Sequence, residues 1–168
     1  YDSVNGSGYF LRLNATNARQ ATTTAWNNDA TSSVFGVGDW TATNKSGDDH
    51  IAYCFHSVTG YSKFGSYTGN GSTTGTSVTL GFRPAFLMIK SSTVADAWFM
   101  FDTTRTPVDT TINTYLQAND SSDESTTSNA NIDISSTGFQ LKTSHNAFNG
   151  NGDTYIYMAF ADKREYAY

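Results

Sequence analysis

Apolar and polar positions alternate along two stretches that lie far apart in the chain. The stretch "HIAYCFH", residues 50–56, places Ile51 and Phe55 on one face, and "YIYMAF", residues 155–160, places Ile156 and Phe160 on the equivalent face. Both follow a Gly-Asp pair and share the frame Gly-Asp-x-x-Ile-x-x-x-Phe. The pattern predicts two equivalent strands with this face buried, so that Phe160→Ala is expected to cost about 3–5 kcal/mol. The full apolar faces are Ile51, Tyr53 and Phe55 in the first stretch and Ile156, Met158 and Phe160 in the second.

The shared frame indicates an internal repeat. The offset from Gly47 to Gly152 is 105 residues, and it also carries Phe10 onto Tyr115. One residue of slip then brings "VFGV" (34–37) onto "GFQL" (138–141). We therefore expect residues 1–59 to be the back half of a first repeat and residues 60–168 to be a complete second repeat, packed as one β-rich unit.

Two nearly continuous apolar runs predict the centre of a sheet. Ala85 to Ile89 in "PAFLMIK" and the run "AWFMFD" are joined by the short polar linker "SSTVAD". A strand at Phe86–Ile89, covered on both faces and paired with Trp98–Phe101, accounts for both runs. Further strands are predicted at Phe10–Leu13, Ser33–Val37, Lys63–Tyr67, Ser77–Leu80, Ile132–Ile134 and Phe139–Thr143.

Composition and turn residues agree on the fold class. Only 15% of residues are charged, so the surface consists largely of Thr, Ser, Asn and Gly, which disfavours exposed helices. Clusters such as "TGNGSTTG" and "AFNGNGD" separate the short strands. These features predict an all-β protein, an antiparallel β-sandwich of jelly-roll type with little helix.

Charge and cysteine content exclude several classes. The net charge is −5 and the ten Lys and Arg residues are scattered, which argues against nucleic-acid binding. The sequence has no long apolar stretch, so membrane insertion is not expected, and its start at Tyr1 without Met is expected for a piece of a longer protein. Cys54 has no partner for an internal disulfide and is expected to be a small buried residue in a strand.

Candidate catalytic and metal-binding residues are few. The two glutamates, Glu124 and Glu165, fall in polar segments, and we expect Asp102 to bond Arg105 or turn amides, so the sequence argues against an enzyme. No cofactor is expected. For the loops Asn119–Asp123 and Asn149–Asp153 two interpretations stay open: bound calcium, or turns that need no ion.

Carbohydrate binding is the chemistry that the loops fit best. Gly- and Asn-rich loops at Tyr67–Thr74 and Asn146–Asp153 offer amides and short polar side chains to sugar hydroxyls, and nearby aromatic rings are expected to supply a stacking face. The candidate binding residues are Tyr67, Asn70, Asn146, Asn149, Asn151 and Asp153.

Five stretches in order resemble a repeat module of virion structural proteins of marine bacteriophages, including tail-fibre-like proteins of cyanophages. They are "GYSKFGSYTGNGS", "GFRPAFLMIK", "AWFMFD", "SSTGFQLKTS" and "GDTYIYMAFADKREYAY". The resemblance covers Gly60 to Tyr168. It implies a lectin-like, concanavalin-like β-sandwich displayed on a particle surface, and it brings no binding residues with it.

Three functions follow as hypotheses. The first is a non-enzymatic virion-surface, extracellular module of a phage tail fibre or adhesin that positions or contacts host-surface glycan, with other virion proteins or copies of itself as partners. The second is a purely structural capsid-decoration or fibre-shaft module whose repeats stack. The third, a polysaccharide-cleaving enzyme, is disfavoured by the scarcity of glutamate.

Overall fold

The chain is largely antiparallel β-structure, as predicted. The computed structural model describes residues 1–105 and 111–162. No helix in these two ranges is long and apolar enough to cross a membrane. The strands are β1 (Tyr9–Phe10), β2 (Gln20–Ala21), β3 (Ser62–Thr68), β4 (Ser77–Thr79), β5 (Pro84–Ser91), β6 (Phe99–Asp102), β7 (Thr111–Ile112), β8 (Thr114–Gln117), β9 (Ser125–Thr126), β10 (Ile132–Ser135), β11 (Gly138–Leu141) and β12 (Thr154–Ala161). The short helices are α1 (Thr41–Asn44), α2 (Asn146–Asn149) and a 3-10 turn at Ser128–Ala130.

The larger sheet has the order β3-β12-β5-β6-β8-β9. Strand β5 lies between β12 and β6, and it pairs with β6 through Leu87 opposite Phe101 and Ile89 opposite Phe99. Leu87, Ile89 and Phe101 are buried, because a central strand has neighbours on both sides and a core beneath it. The prediction of a central strand at Phe86–Ile89, paired with the run that follows it, is confirmed. Its predicted cover on both faces is only partly found, because Phe86 and Met88 on the outer face are half-buried.

The smaller sheet has the order β4-β11-β10-β7 and shares a core with the larger one. Phe139 of β11 contacts Tyr67 of β3 and Tyr157 of β12, with ring centroids 6.1 Å and 5.7 Å apart. Edge-to-face aromatic contacts of this kind add to the free energy gained from burial. The predicted strands Lys63–Tyr67, Ser77–Leu80, Ile132–Ile134 and Phe139–Thr143 correspond to β3, β4, β10 and β11.

The buried face of β12 is the opposite of the predicted one. Tyr155, Tyr157 and Ala159 point into the core, whereas Ile156 and Phe160 are only half-buried on the other face of the sheet. Both faces of β12 carry large apolar or aromatic side chains, so the alternation marks two faces without showing which one is covered. Tyr155 fits the interior because its hydroxyl group finds hydrogen-bond partners there.

The first stretch does not form the predicted buried strand. Ile51 and Phe55 are 82% and 59% exposed, and residues 50–57 have no strand pairing. Cys54, expected to be buried, is exposed. The reason is the lack of neighbours: β12 is held between β3 and β5, and residues 1–59 contain no counterpart of either strand.

Local structure nevertheless recurs at the predicted offset. The pair β1–β2 aligns Tyr9 with Ala21, and the pair β8–β9 aligns Thr114 with Thr126, 105 residues later. The four residues of α1 and α2 are related in the same way, and Gly47 and Gly152 both adopt positive φ, 84° and 81°. These turns and short pairings depend on nearby residues only, so they form in both copies. The boundary at residues 59 and 60 stays a prediction.

Candidate functional site

The two predicted binding loops meet at one end of the larger sheet. Strands β3 and β12 are antiparallel neighbours, so the chain leaving β3 and the chain entering β12 lie side by side. Gly71 N donates to Asn149 O at 2.8 Å, Gly152 N to Gly69 O at 2.9 Å, and Gly69 N to Asp153 O at 2.9 Å. Glycine is required at position 69, because a Cβ there would lie 2.2 Å from Gly150 O.

Asn149 joins the two loops and is fully buried. Its Nδ2 donates to Asn70 Oδ1 at 2.8 Å, to Ser72 O at 2.9 Å and to Thr143 O at 2.8 Å. Its Oδ1 accepts from Asn70 N at 3.0 Å. The amide of Asn149 is thus used within the fold and is not presented to a ligand, which corrects the prediction that it contacts one.

Tyr67 also supports the loops from below. Its ring is buried and stacks on Tyr155 with centroids 5.0 Å apart, and its hydroxyl donates to Phe148 O at 2.7 Å. Burial raises the pKa of Tyr67, and it raises the pKa of Tyr155 to about 12, so both hydroxyls stay protonated donors at neutral pH. Tyr67 therefore offers no stacking face to a sugar, and its predicted role as a contact residue is corrected.

The other four candidate residues surround Gly150 and Gly152. Asn70, Asn146 and Asn151 are exposed, and Asp153 is half-buried. A Cβ built on Gly150 would lie 3.2 Å from Asn146 Oδ1 and 2.3 Å from Asp153 Oδ2, so both oxygens converge on this glycine. We call Asn70, Asn146, Asn151 and Asp153 the asparagine loop surface.

A third segment, the linker between β5 and β6, reaches this surface. Thr93 Oγ1 donates to Asp153 Oδ1 at 3.2 Å and accepts from Thr154 N at 3.1 Å. Thr93 was not among the residues predicted from sequence, because no local pattern distinguishes it from the other threonines. It borders the surface only through the pairing of β5 with β12.

A family profile described as "Domain of unknown function (DUF7483)" matches residues 1–164. The chain belongs to this family. No curated protein and no solved structure matches the chain. The DUF7483 match covers residues 1–59 and nearly all of residues 60–168, the two parts that the sequence comparison predicts.

Five aromatic residues of this DUF7483 chain lie outside its clearest apolar runs: Trp26, Trp40, Tyr61, Tyr67 and Tyr115. Trp26, Trp40 and Tyr115 are half-buried, and Tyr61 packs on Phe160. Tyr67 and Tyr155, whose hydroxyls bond to Phe148 O and Asn146 O in the loop before β12, are both buried. The asparagine loop surface is accordingly polar.

The carboxylates are engaged in local bonds. Asp102 forms an ion pair with Arg105, whose Nη1 also bonds Glu124 at 2.7 Å. Burial works to raise the pKa of Asp102, but hydrogen bonds from Arg105 and Thr104 outweigh it and lower that pKa. Glu165 lies outside the described residues.

The candidate calcium loops are built as turns. Asp120 Oδ1 accepts hydrogen bonds from Ser122 N at 2.7 Å and Ser122 Oγ at 2.6 Å, which lower the pKa of Asp120. Within residues 1–105 and 111–162, no three His, Cys, Asp or Glu side chains group as metal ligands. Calcium in these loops stays a prediction, since backbone and asparagine oxygens are also calcium ligands.

Proposed function

We propose that this protein is a non-enzymatic virion-surface module of a phage tail fibre or adhesin, which contacts host-surface glycan through the asparagine loop surface. The architecture we propose is a jelly-roll or concanavalin-like β-sandwich. Two antiparallel sheets with interlocking side chains such as Tyr67 and Phe139 support that interpretation.

One observation carries the proposal: two loops, separated by about half the chain, are locked together while their polar side chains remain accessible. Asn149 holds Asn70 from beneath, and the side chains of Asn146 and Asn151 make no hydrogen bond to any described residue. An amide offers a donor and an acceptor at once, as neighbouring sugar hydroxyls require. A pre-ordered surface also loses less conformational entropy when it binds.

Binding by a single copy is expected to be weak. The surface is polar, and Tyr67 and Tyr155 beneath it are buried, so each contact replaces hydrogen bonds to water with hydrogen bonds of similar strength. Many copies on one particle convert such contacts into useful avidity. The measurement must therefore be made on a multivalent form.

The test displays the chain in many copies on beads and measures binding to an array of bacterial surface polysaccharides. The test variant carries Asn146→Ala and Asn151→Ala. The matched control carries Asn17→Ala and Asn129→Ala, since these asparagines are also exposed and also lack side-chain hydrogen bonds to described residues. We expect binding by the parent and the control and loss of binding by the test variant, at unchanged thermal stability. Equal binding by all three forms, or by none, would count against the glycan role.

A second function, a purely structural capsid-decoration or fibre-shaft module, is favoured by a separate observation. Ile51 and Tyr53 are 82% and 81% exposed, which is unusual for two large apolar side chains of one alternating stretch. Burial against another polypeptide would explain them. If the polysaccharide array is negative for the parent, this structural role becomes the better explanation.

A further inference from the structure

Exposed apolar side chains are confined to one part of the chain. Among the described residues, the large exposed hydrophobics all lie between Tyr1 and Tyr61, whereas the shared core draws its members only from residues 67–159. They are Tyr1, Val4, Leu13, Val34, Phe35, Val37, Ile51, Tyr53, Phe55, Val58 and Tyr61. Residues 1–59 thus carry strand-type apolar residues without a core of their own.

Repeat-related positions differ sharply in exposure. The backbone pairings follow the offset of 105 without the one-residue slip of the sequence alignment, so Val34 corresponds to Phe139. Their exposed fractions are 64% and 3%. Cys54 is exposed, but its counterpart Ala159 is fully buried. The local structure is the same at both places. Trp26 pairs with Val37, and the residues 105 positions later, Asn131 and Lys142, are joined by a backbone hydrogen bond. The two copies therefore differ in what covers them.

The second copy is covered by its own front half, residues 60–105. Strand β12 is bonded to β3 on one side and β5 on the other, and β11 is bonded to β4. Phe139 packs on Tyr67 of β3. All of these partners lie between Ser62 and Asp102, and residues 1–59 contain no equivalent of them.

We propose that residues 8–58 form an acceptor for a front half of the kind seen in residues 60–105, supplied by a further repeat unit joined in tandem ahead of Tyr1. In the joined form, residues 50–56 become a central strand like β12, with Cys54 in the core position of Ala159. The inference does not depend on glycan binding, and its test uses no glycan.

A tandem unit fits better than a second free copy. Each chain has one front half, and its strands are already bonded to β11, β12 and β8 in a filled core. A second copy would have to surrender its own core to fill the acceptor, which would cost as much as it gained. A front half placed so that Arg105 directly precedes Tyr1 preserves the period of 105, because Tyr1 then stands where residue 106 would follow.

The experiment adds residues 60–105 directly before Tyr1 of the full chain and follows the reactivity of the thiol. Cys54 is the only cysteine, and the added segment contains none. We expect the rate of maleimide labelling of Cys54 to fall by at least about 100-fold in the extended chain relative to the parent, because a core thiol reacts only after local opening. The variant C54A with A159C in the parent chain provides the rate of a fully buried reference thiol.

The matched control carries Leu87→Asp and Ile89→Asp in the added segment only, which keeps its length and removes its core face. Cys54 in this control is expected to label at the parent rate. Equal labelling of Cys54 in the extended chain and in this control would overturn the proposal. Sedimentation of the unextended parent tests whether a second copy of the chain occupies the acceptor. Concentration-dependent dimers with a protected Cys54 would assign the acceptor to that second copy and overturn the tandem arrangement.

The folding of the extended chain is measured separately from the labelling of Cys54. Hydrogen exchange of β5 and β12 in the extended chain reports whether the complete repeat is intact. If the added segment prevents folding, a longer extension by residues 1–105 that carries Cys54→Ala within the added residues replaces it at the same junction, so that Cys54 of the original chain is again the only thiol. Fast labelling of Cys54 in that form, with β12 protected, overturns the proposal equally.

Discussion

Asn44 and Asn149 make the same hydrogen bond in different surroundings. Each Nδ2 donates to the carbonyl oxygen six residues earlier, Gly38 O and Thr143 O, at 2.8 Å in both cases. Asn149 is buried and adds bonds to a second loop, whereas Asn44 is exposed and has no such loop beside it. The shared bond belongs to the local fold of the repeat, and the additional bonds require the front half.

The first prediction concerns this pair. Asn149→Ala removes the bonds that the two Nδ2 hydrogens share among Asn70 Oδ1, Ser72 O and Thr143 O, and the bond that Oδ1 accepts from Asn70 N. We therefore expect a loss of about 2–3 kcal/mol in the free energy of unfolding. Asn44→Ala, the matched control, is expected to cost less than about 1 kcal/mol because its site is open to water. Urea denaturation of both variants measures the difference. Equal losses would show that the link between the loops adds no stability.

The second prediction concerns the aromatic cluster on the outer face of the larger sheet. Phe160 contacts Phe55, Phe64 and Phe86, with ring centroids 5.8–6.4 Å apart. Because Phe160 is half-buried, we now expect Phe160→Ala to cost about 2 kcal/mol, less than a core phenylalanine, and Phe55→Ala to cost less than about 1 kcal/mol. A double-mutant cycle should give a coupling of about 0.5 kcal/mol or more between the two rings. Strict additivity would mean that their contact contributes nothing.

The third prediction uses Lys90, whose side chain is buried on the outer face beside the N-terminal segment. Its Nζ donates to Ser91 O at 2.6 Å and to Thr16 O at 3.4 Å. Burial lowers the pKa of Lys90 from 10.5 to about 8, with Asp96 opposing that shift. Between these two values the unfolded chain holds a proton that the folded chain has released, so stability attributable to Lys90 rises with pH.

The measurement compares the parent with Lys90→Met from pH 7 to pH 9.5. The difference in free energy of unfolding between Lys90→Met and the parent should favour the variant most at pH 7 and should shrink as the pH rises. The range stops at pH 9.5 because burial raises the pKa of Tyr67, Tyr155 and Tyr157, which lowers stability above the ordinary tyrosine value of 10. Lys45→Met removes a lysine at an exposed site and controls for the loss of one positive charge. Parallel profiles for the parent and Lys90→Met would refute this account.

The fourth prediction concerns the buried hydroxyl of Tyr67. Tyr67→Phe leaves Phe148 O without its donor, so we expect a loss of about 1–2 kcal/mol. Tyr61→Phe, at a ring that is 48% exposed, should change the free energy of unfolding by no more than about 0.5 kcal/mol. Thermal unfolding of both variants provides the comparison, and an unaffected Tyr67→Phe would mean that water replaces the lost donor.

The amino-acid sequence by itself determined the local and the strongly patterned features. The continuous apolar runs at Ala85–Ile89 and Trp98–Phe101 predicted the β5–β6 pair, because a short polar linker leaves such runs few other partners. The repeated Gly-Asp turns predicted the offset that relates Gly47 to Gly152, since a turn depends only on its own few residues.

Only the tertiary structure decided which residues are covered. Strand β12 has apolar side chains on both faces, so its pattern is the same whether Tyr155 or Ile156 points inward. Stacking on Tyr67 and hydrogen bonds of the hydroxyl to Gly150 N and Asn146 O favour Tyr155. Residues 50–56 have the same pattern but no strands beside them, and a strand is stable only when neighbours satisfy its backbone and cover its side chains. Asn149 and Asn151 stand in one asparagine-rich loop, but only Asn149 has a side chain that bonds to the second loop. Asn149 is therefore buried, and Asn151 is exposed.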